Sequence, residues 1–306
     1  MTQSRELGAA PLPIVGDARR CGMIDLVGEP ITLTNGGCRA DIHPALGGRL
    51  GQLDLGDGPL LRGPAEGLGW IQWGCYPLLP WSNRLPGGHL RYRGIDADLP
   101  PNNTDRSPIH GLAAAIPWRV VDAGEDRVDL SVDVRGGPYD VRGSLSYDLE
   151  PGILHLRLAV TNLGAAVVPA GIGIHPWFRR GPIRVPADAR WPGEPIPTGP
   201  PVPVSGDHDL RSATVAAPMD ACFTALTGSC AGVPGARLCW DGPVTHVVVY
   251  TGEPDWVCVE PVTMVNNGIA MADRGAAGHG VQEMASGASI EVRYRFERMD
   301  DGPRAG

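Results

Sequence analysis

The stretch GILHLRLAVTN, residues 152–162, alternates apolar and polar side chains over most of its length. The apolar residues on every second position are Leu154, Leu156, Leu158 and Val160. This spacing is the repeat of a β-strand with one buried face, whereas an amphipathic helix would place apolar residues three and four positions apart. The stretch therefore predicts a half-buried strand and indicates a β-sheet protein.

Similar patterns recur along the chain, and helical periodicity is scarce. The alternation is repeated in RVDLSVDV (127–134) and in SIEVRYRFER (289–298). THVVVYTG (245–252) and WVCVEPV (256–262) are continuous apolar runs, which are typical of strands buried on both faces. Glycine (43 residues) and proline (31 residues) are spread throughout, as expected when many turns join many short strands. We predict an all-β fold.

No shift in composition marks a boundary between domains. We therefore predict one domain over residues 1–306, with its core at about residues 22–297 and frayed tails formed by the first dozen residues and by residues 300–306. The proline-rich segment RWPGEPIPTGPPVPV (190–204) could be a linker or a docking motif for proline-binding domains. We interpret it as a long ordered loop, because strand-like sequence resumes on both sides.

Composition excludes several classes of protein. Hydrophobic residues make up 42% and charged residues 20% of the 306 residues, which is typical of globular proteins. The net charge is −8 with no basic block, so nucleic acid is not an expected partner. All 26 basic residues are arginine, which excludes Schiff-base catalysis and a P-loop lysine. No apolar run is long enough to span a membrane and the N-terminus shows no secretory signal, so we expect a cytoplasmic location.

The cysteines and histidines show no spacing that indicates a metal site. The seven cysteines are odd in number and contain no C-x-x-C pair, so we predict reduced, mostly buried thiols with neither a disulfide framework nor a zinc site. The eight histidines include no H-x-H or H-E-x-x-H spacing. No G-x-G-x-x-G motif opens a helix after a strand. We expect no metal and no cofactor, although ligands that meet only in the fold would escape this test.

Four polar positions lie beside glycine, proline or aromatic residues and are candidates for chemistry. Arg84 follows an apolar segment, and it could be a surface ion-paired residue or a fixed donor to hydroxyl or carboxylate groups. His110 in SPIHGL could be structural or catalytic. His175 precedes Pro176 in GIGIHPWF, where aromatic residues could form a pocket wall. Glu260 ends the apolar run WVCV, and burial would raise the pKa of its carboxyl towards that of a general base.

Taken in order, these segments resemble the aldose 1-epimerase (galactose mutarotase) family over about residues 30–297. No single motif carries the resemblance, which rests on the order and spacing of several. They are GGRLGQLDLGDGPLL, PLLPWSNRLPGGHLRYRG, PIHGL, VTNLGAAVVPAGIGIHPWF, PMDACFTAL, VCVEPVT and SGASIEVRYRFE. The resemblance implies a large, mostly antiparallel β-sandwich of the galactose mutarotase-like type, with a sugar site in a groove across one sheet.

The resemblance also implies a role for each matching residue. His175 matches the family's general acid, and Glu260 matches its general base. The residues that match its substrate-binding positions are Asn83, Arg84, His110 and Asp220. After His110 the sequence runs GLAAAIPW, where many members carry other glycine, tryptophan or polar residues, and this departure predicts an altered wall beside the sugar.

These roles lead to a functional hypothesis: a cofactor-independent mutarotase that interconverts the α and β anomers of a free monosaccharide. The alternatives are a non-catalytic carbohydrate-binding protein, and an isomerase or lyase that uses the same His/Glu pair on another cyclic hemiacetal. Arg179, Arg180 and Arg184 follow His175 closely, and they could form a solvated face or bind an anionic sugar. We expect a monomer or a homodimer.

Overall fold

A computed structural model of the protein describes residues 28–299. The predicted frayed tails, residues 1–12 and 300–306, lie outside the described residues, and so does the predicted start of the core at residues 22–27. The described part is built almost entirely of strands and turns. Its strands in chain order are β1 Ile31–Asn35, β2 Cys38–His43, β3 Arg49–Asp54, β4 Cys75–Leu78, β5 His89–Tyr92, β6 Ile95–Asp98, β7 Arg119–Ala123, β8 Arg127–Gly136, β9 Tyr139–Glu150, β10 Ile153–Asn162, β11 Val168–Ala170, β12 Gly173–Arg179, β13 Pro182–Ile183, β14 Ala187–Arg190, β15 Val202–Pro203, β16 Thr214–Val215, β17 Asp220–Leu226, β18 Cys230–Val233, β19 Ala236–Asp241, β20 His246–Tyr250, β21 Trp256–Val262, β22 Gln282–Met284 and β23 Ser289–Arg298.

Two large antiparallel sheets make up most of the fold. The larger has ten strands in the order β1-β2-β3-β4-β12-β21-β20-β17-β14-β15, and the smaller has seven in the order β18-β19-β23-β10-β9-β8-β7. Three two-stranded ribbons, three single-turn 3-10 helices and one short α-helix, α1 Gly268–Asp273, complete the described elements. The all-β prediction is confirmed.

The two sheets share one hydrophobic core. In β10 the buried positions include Leu154, Leu156, Leu158 and Val160, the residues that the alternation predicted. They join a cluster that also contains Leu50 and Val259 of the ten-stranded sheet. A face-to-face packing of two sheets follows, and it confirms the predicted sandwich.

The continuous apolar runs form central strands with two buried faces. In β21, Val257 and Val259 belong to the core between the sheets, whereas Cys258 belongs to a second apolar cluster on the opposite face. In β20, Val247 and Val248 divide between the same two clusters. Because side chains alternate across a strand, a run with no polar interruption is what two buried faces require.

The proline-rich segment is a loop that ends in a short strand, as interpreted from sequence. Residues 191–201 have no regular structure, and Val202–Pro203 then pairs with β14 at the edge of the ten-stranded sheet. The loop is anchored by Trp191, which is 2% exposed. Among residues 28–299, no helix has the length and apolar character needed to cross a membrane.

The prediction of reduced cysteines is wrong at one pair. Cys230 and Cys239 form a disulfide between the paired strands β18 and β19. Their separation of nine residues carries no recognisable motif, but the register of the hairpin places them directly opposite, with their Cα atoms 4.0 Å apart. The free cysteines of the described chain are all buried, as predicted: Cys38, Cys75, Cys222 and Cys258. Cys21 lies outside the described residues.

Candidate active site

Two rows of side chains cross the outer face of the ten-stranded sheet. Strand pairing aligns Tyr76 with His175, and Glu260 with Val248. The β12–β21 register aligns Gly173 with Val262 and Trp177 with Cys258, which sets His175 opposite Glu260. The first row therefore contains Tyr76, His175, Glu260 and Val248, and the second contains Trp177, Cys258, Tyr250 and Asp220.

His175 and Glu260 are in direct contact. Nε2 of His175 lies 3.2 Å from Oε1 of Glu260, and their side chains are only 7% and 2% exposed. Nδ1 of His175 and Oε2 of Glu260 are buried and have no hydrogen-bond partner. The residues predicted from sequence as acid and base are thus in contact, and each has one polar atom that is free to form a further hydrogen bond.

Aromatic rings hold the imidazole of His175. Tyr76 stacks on it with ring centroids 4.7 Å apart, and Trp177 lies on it at 5.7 Å. His110 meets it edge-on at 5.0 Å. The hydroxyl of Tyr76 and the indole N–H of Trp177 both donate to the carbonyl of Ile71, which ties these rings to the loop above the sheet. The packing leaves the imidazole little freedom to rotate.

Two loops carry Asn83, Arg84 and His110 over the sheet. The backbone N–H of His110 donates to the carbonyl of Asn83 at 3.0 Å, and Arg84 forms an isolated bridge with Ile109. Asn83 and His110 both have left-handed backbones, with φ of 57° and 60°. Gly111 follows at φ 78°, where a Cβ atom would lie 1.9 Å from the carbonyl oxygen of Leu79. Such unusual geometry is common where side chains are held for function.

Arg84 lies between two carboxylates. Its Nε donates to Asp105 at 3.0 Å, and its Nη1 lies 3.6 Å from Asp220. Asp105 also accepts hydrogen bonds from the backbone N–H and the hydroxyl of Ser107, so it is itself fixed. Arg84 is therefore both ion-paired and presented to the site, and the two interpretations of this residue from sequence are compatible.

These residues surround one cavity of about 300 Å³. All six predicted site residues line it: Asn83, Arg84, His110, His175, Asp220 and Glu260. A cavity of this size is at the lower end of the range typical of small-molecule sites. The structure thus brings together residues that lie up to 177 positions apart in the sequence (260 − 83).

Sequence reasoning missed several lining residues. They include Trp70, Gln72, Tyr250 and Glu253, whereas Trp177 belongs to the HPWF segment whose aromatic residues the sequence offered as a pocket wall. Trp70 was detectable in principle, because GWIQWG concentrates aromatic residues beside glycine. Glu253 gives no such signal, since the sequence around it is that of an ordinary polar loop between two strands. In the structure it accepts a hydrogen bond from Gln72 at 3.1 Å and lies 3.7 Å from Arg62.

The arginines after His175 do not reach the cavity. Arg179 lies over Trp256, Arg180 donates to the carbonyl of Ala216, and Arg184 donates to that of Arg211. None of the three belongs to the cavity lining. The structure therefore favours their interpretation as a surface group over a role in binding an anionic sugar.

Burial shifts the acid–base properties of the site. It raises the pKa of Glu260 well above the usual carboxyl value, with a further increase from Asp220 and an opposing effect of Arg84. It lowers the pKa of His175, and it lowers the pKa of His110 well below the usual imidazole value. Burial also raises the pKa of Asp220 to about 6. The site therefore favours the uncharged forms of all four groups.

The structure also reveals a group of metal-ligating atoms that sequence spacing did not predict. His175, Cys258 and Glu260 each offer one ligand atom, and these atoms lie within 4.8 Å of one another. The histidine lies on β12 and the other two residues lie on β21, so no single sequence motif joins them. The expectation of no metal site relied on local spacing, which cannot detect ligands contributed by different strands.

A sequence model of the family described as aldose 1-epimerase matches residues 29–263. This chain belongs to the aldose 1-epimerase family. It is 32% identical over 165 residues to the uncharacterized protein YphB of Escherichia coli K12, a match that covers 52% of this chain and 56% of YphB. It is 32% identical to the uncharacterized protein YihR of the same organism over 33% of this chain and 34% of YihR. The matched region thus spans about half or less of these curated relatives.

Solved structures support the fold assignment of this aldose 1-epimerase family member. A crystal structure from Escherichia coli K12 superposes with a TM-score of 0.77 at 23% identity, covering 90% of this chain and 99% of the other. A galactose mutarotase-like protein from Clostridium acetobutylicum superposes with a TM-score of 0.76 at 20% identity, covering 90% and 97%. At these identities the likeness shows the fold, and it confirms the predicted galactose mutarotase-like type.

Asp220 allows a test of the site's electrostatics through stability. Because its pKa is raised from 3.8 to about 6, the folded state holds this proton more tightly, and the resulting stability is lost as pH rises from about 4 through 6. We expect the difference in free energy of unfolding, Asp220→Asn minus wild type, to increase by on the order of 2 kcal/mol between pH 4 and pH 7. Urea unfolding at several pH values measures this difference.

The control variant Asp133→Asn should show a pH dependence of relative stability with the opposite sign. Arg142 lowers the pKa of Asp133, so Asp133 contributes stability at neutral pH that is lost as pH falls. Asp133→Asn should therefore lose stability relative to the wild type as pH rises. A stability difference for Asp220→Asn that stays constant with pH would show that Asp220 ionises normally in the folded protein.

Proposed function

We propose that this protein is a cofactor-independent aldose 1-epimerase that interconverts the α and β anomers of a free aldose. The observation that carries the proposal is the His175–Glu260 contact of 3.2 Å at a cavity that is also lined by Asn83, Arg84, His110 and Asp220. An acid and a base that face one ligand are what ring opening of a cyclic hemiacetal requires. A non-catalytic carbohydrate-binding site would not need such a pair.

The proposed reaction moves two protons and leaves the sugar's composition unchanged. Glu260 removes the proton of the anomeric hydroxyl while His175 protonates the ring oxygen, so the bond between the anomeric carbon and the ring oxygen breaks. The open aldehyde rotates about the bond to its neighbouring carbon. The ring then closes on the other face as both protons return. Since the same steps operate in reverse, each group acts as acid in one direction and as base in the other.

The burial of the pair fits this cycle. Before ring opening the pair is imidazolium and carboxylate, and after it the pair is neutral imidazole and carboxylic acid. Burial destabilises the charged forms of both His175 and Glu260, so it favours the transfer of a proton from His175 and the uptake of one by Glu260. The reactive pair holds one proton in total, so we expect activity to fall as pH rises through the raised pKa of Glu260, where that proton is lost and His175 has none to give.

The neighbouring residues would orient the sugar and stabilise charge. Arg84 supplies a fixed cation, and Asn83 supplies an amide, both from a loop with a left-handed backbone. Since its pKa is lowered, His110 is neutral and can share a hydrogen bond with a sugar oxygen without adding charge. Asp220 would accept hydrogen bonds from sugar hydroxyls. These residues would position the ring between His175 and Glu260.

The charges of the cavity favour a neutral sugar. Arg84 is its cationic lining residue, and it is already paired with Asp105 and Asp220. The lining also contains the carboxyl groups of Glu253 and Glu260. A phosphate, sulfonate or second carboxylate on the substrate would meet these acidic groups without a free cation. We therefore propose a neutral aldose of one ring, which suits a cavity of about 300 Å³.

The decisive experiment is anomer exchange measured by NMR with purified protein. Glucose, galactose, xylose and arabinose would be compared with a sugar phosphate and a uronic acid, with Glu260→Gln as the control. We expect exchange faster than in buffer for at least one neutral aldose, little acceleration for the anionic sugars, and no acceleration by the variant. Binding of sugars by the folded wild-type protein without faster exchange would support the carbohydrate-binding alternative instead.

The same spectra separate the third possibility. Mutarotation changes neither the mass nor the composition of the sugar, whereas another isomerase or a lyase would give new resonances. The cytoplasmic location and the monomeric or homodimeric state stay predictions.

A further inference from the structure

Cys258 is a buried thiol that the proposed reaction does not use. It is fully buried on β21 and paired across the sheet with Trp177 on one side and Tyr250 on the other. Glu260 lies two residues after Cys258 on β21, so its side chain projects from the same face of the strand, where it contacts His175. The alternation of β21 thus places a sulfur ligand directly beside a nitrogen and an oxygen ligand.

The geometry points to a zinc site: we propose that His175, Cys258 and Glu260 bind a thiophilic divalent cation such as Zn²⁺, which blocks the cavity. Zinc takes sulfur at about 2.3 Å and nitrogen or oxygen at about 2.0–2.2 Å in a tetrahedral arrangement. Ligand atoms of such a site are roughly 3.3–3.6 Å apart. Nε2 of His175 and Oε1 of Glu260 already lie 3.2 Å apart, and the sulfur lies within 4.8 Å of both.

The bonding state of these atoms supports the site. The cavity-lining pair has unpaired polar atoms, Nδ1 of His175 and Oε2 of Glu260, both buried. A cation bound to this carboxylate supplies the electrostatic partner that Oε2 of Glu260 lacks, whereas Nδ1 of His175 lies across the ring from Nε2, the ligand atom. Binding would replace the thiol proton and the proton held by the His175–Glu260 pair, so it would release two protons per ion. The fourth zinc position would face the cavity, where water can complete the tetrahedron.

The site would inhibit the reaction that we propose. A bound ion occupies both the acid and the base, so zinc and sugar exclude each other. Zinc should therefore raise the apparent KM for the sugar and leave kcat unchanged. This consequence depends on the proposed function, but the binding of the metal does not, because it can be measured on a protein with no substrate present.

Cobalt is the probe for the binding itself. Co²⁺ titrated into the reduced wild-type protein should give the visible absorption of a tetrahedral site and a thiolate-to-cobalt charge-transfer band, both removed by excess Zn²⁺. Cys258→Ala and Cys258→Val should each lose the charge-transfer band and bind Zn²⁺ at least about a hundredfold more weakly. Cys222→Ala, which removes another buried thiol of the same apolar cluster, should bind normally.

The outcomes are distinct. A charge-transfer band that persists in both Cys258 variants would overturn the proposal, as would the absence of any tetrahedral signal in the wild type. Binding confined to the exposed His89, Asp96 and Asp98 cluster would also overturn it, and such binding would survive both Cys258 variants.

Activity gives a second measurement. Cys258→Ala should exchange anomers at the wild-type rate without zinc and should be insensitive to zinc that inhibits the wild type. If the wild-type protein binds Co²⁺ through Cys258 but accelerates no sugar, the proposed function fails and the metal site stands.

Discussion

Glu260→Gln is expected to lower the rate of anomer exchange by about a hundredfold or more. Glutamine keeps the size of the side chain and its contact with His175, but it cannot take the proton of the anomeric hydroxyl. Because Glu260 is 2% exposed and its carboxyl is costly to bury in ionised form, the variant should fold at least as stably as the wild type. NMR exchange rates at saturating sugar, with urea unfolding of the same samples, measure both effects.

The matched control is Glu150→Gln, which makes the same chemical change at an exposed position of the other large sheet. It should leave exchange unchanged. The exchange rate of His175→Ala should fall as far as that of Glu260→Gln, since this substitution removes the partner acid. Rates close to wild type in both site variants would remove the acid–base assignment. A wild-type rate that does not fall as pH rises through the raised pKa of Glu260 would show that turnover does not need the proton held by the pair.

The second large effect is expected for stability: Arg49→Met should lower the free energy of unfolding by about 3–5 kcal/mol. Arg49 is 1% exposed, and among the residues described it has no carboxylate partner. Its guanidinium instead donates to four backbone carbonyls, those of Leu46, Trp70, Trp73 and Ala114 at 2.7–3.2 Å. Methionine fills a similar volume but leaves these buried oxygens without their donor.

The effect should extend to the site, because Arg49 also lies 4.4 Å from the ring centre of Trp73 and 5.0 Å from that of Tyr76. Tyr76 stacks on His175, and Trp70 lines the cavity. We therefore expect sugar affinity to fall together with stability, which urea unfolding and NMR titration would measure.

The control for this loss is Arg142→Met on the exposed face of the other sheet. Arg142 pairs with Asp133 at 2.7 Å with both side chains about half exposed, and such solvent-screened pairs contribute little to stability. Equal losses for Arg49→Met and Arg142→Met would contradict a special role for the buried cation.

The strands of the sandwich were predictable because their cause is local. Leu154 to Val160 alternate in the sequence, and the same residues alternate in burial along β10. The run WVCVEPV predicted two buried faces, and the structure places its residues in two separate clusters. Because side chains alternate between the two faces of a strand, the apolar pattern of a single segment is sufficient to show which of its faces are buried.

The register between strands was not predictable. Cys230 and Cys239 form a disulfide because the β18–β19 hairpin aligns them, although their spacing resembles no motif. Cys258 meets His175 only because β12 and β21 pair with one specific alignment, and a shift of one residue would move the thiol to the opposite face. Such contacts depend on two segments at once, and neither segment contains the information about the other.

The sequence by itself determined the all-β class, the buried strands and, through the order of its motifs, the six residues proposed for the site. Only the tertiary structure decided that Arg84 is shared between Asp105 and Asp220, that Glu253 and Gln72 reach the cavity, and that the three arginines after His175 do not. The physical reason is the range of the interactions. Alternating burial acts between neighbours along a strand, whereas the charge, volume and ligand geometry of the cavity arise where distant strands and loops converge.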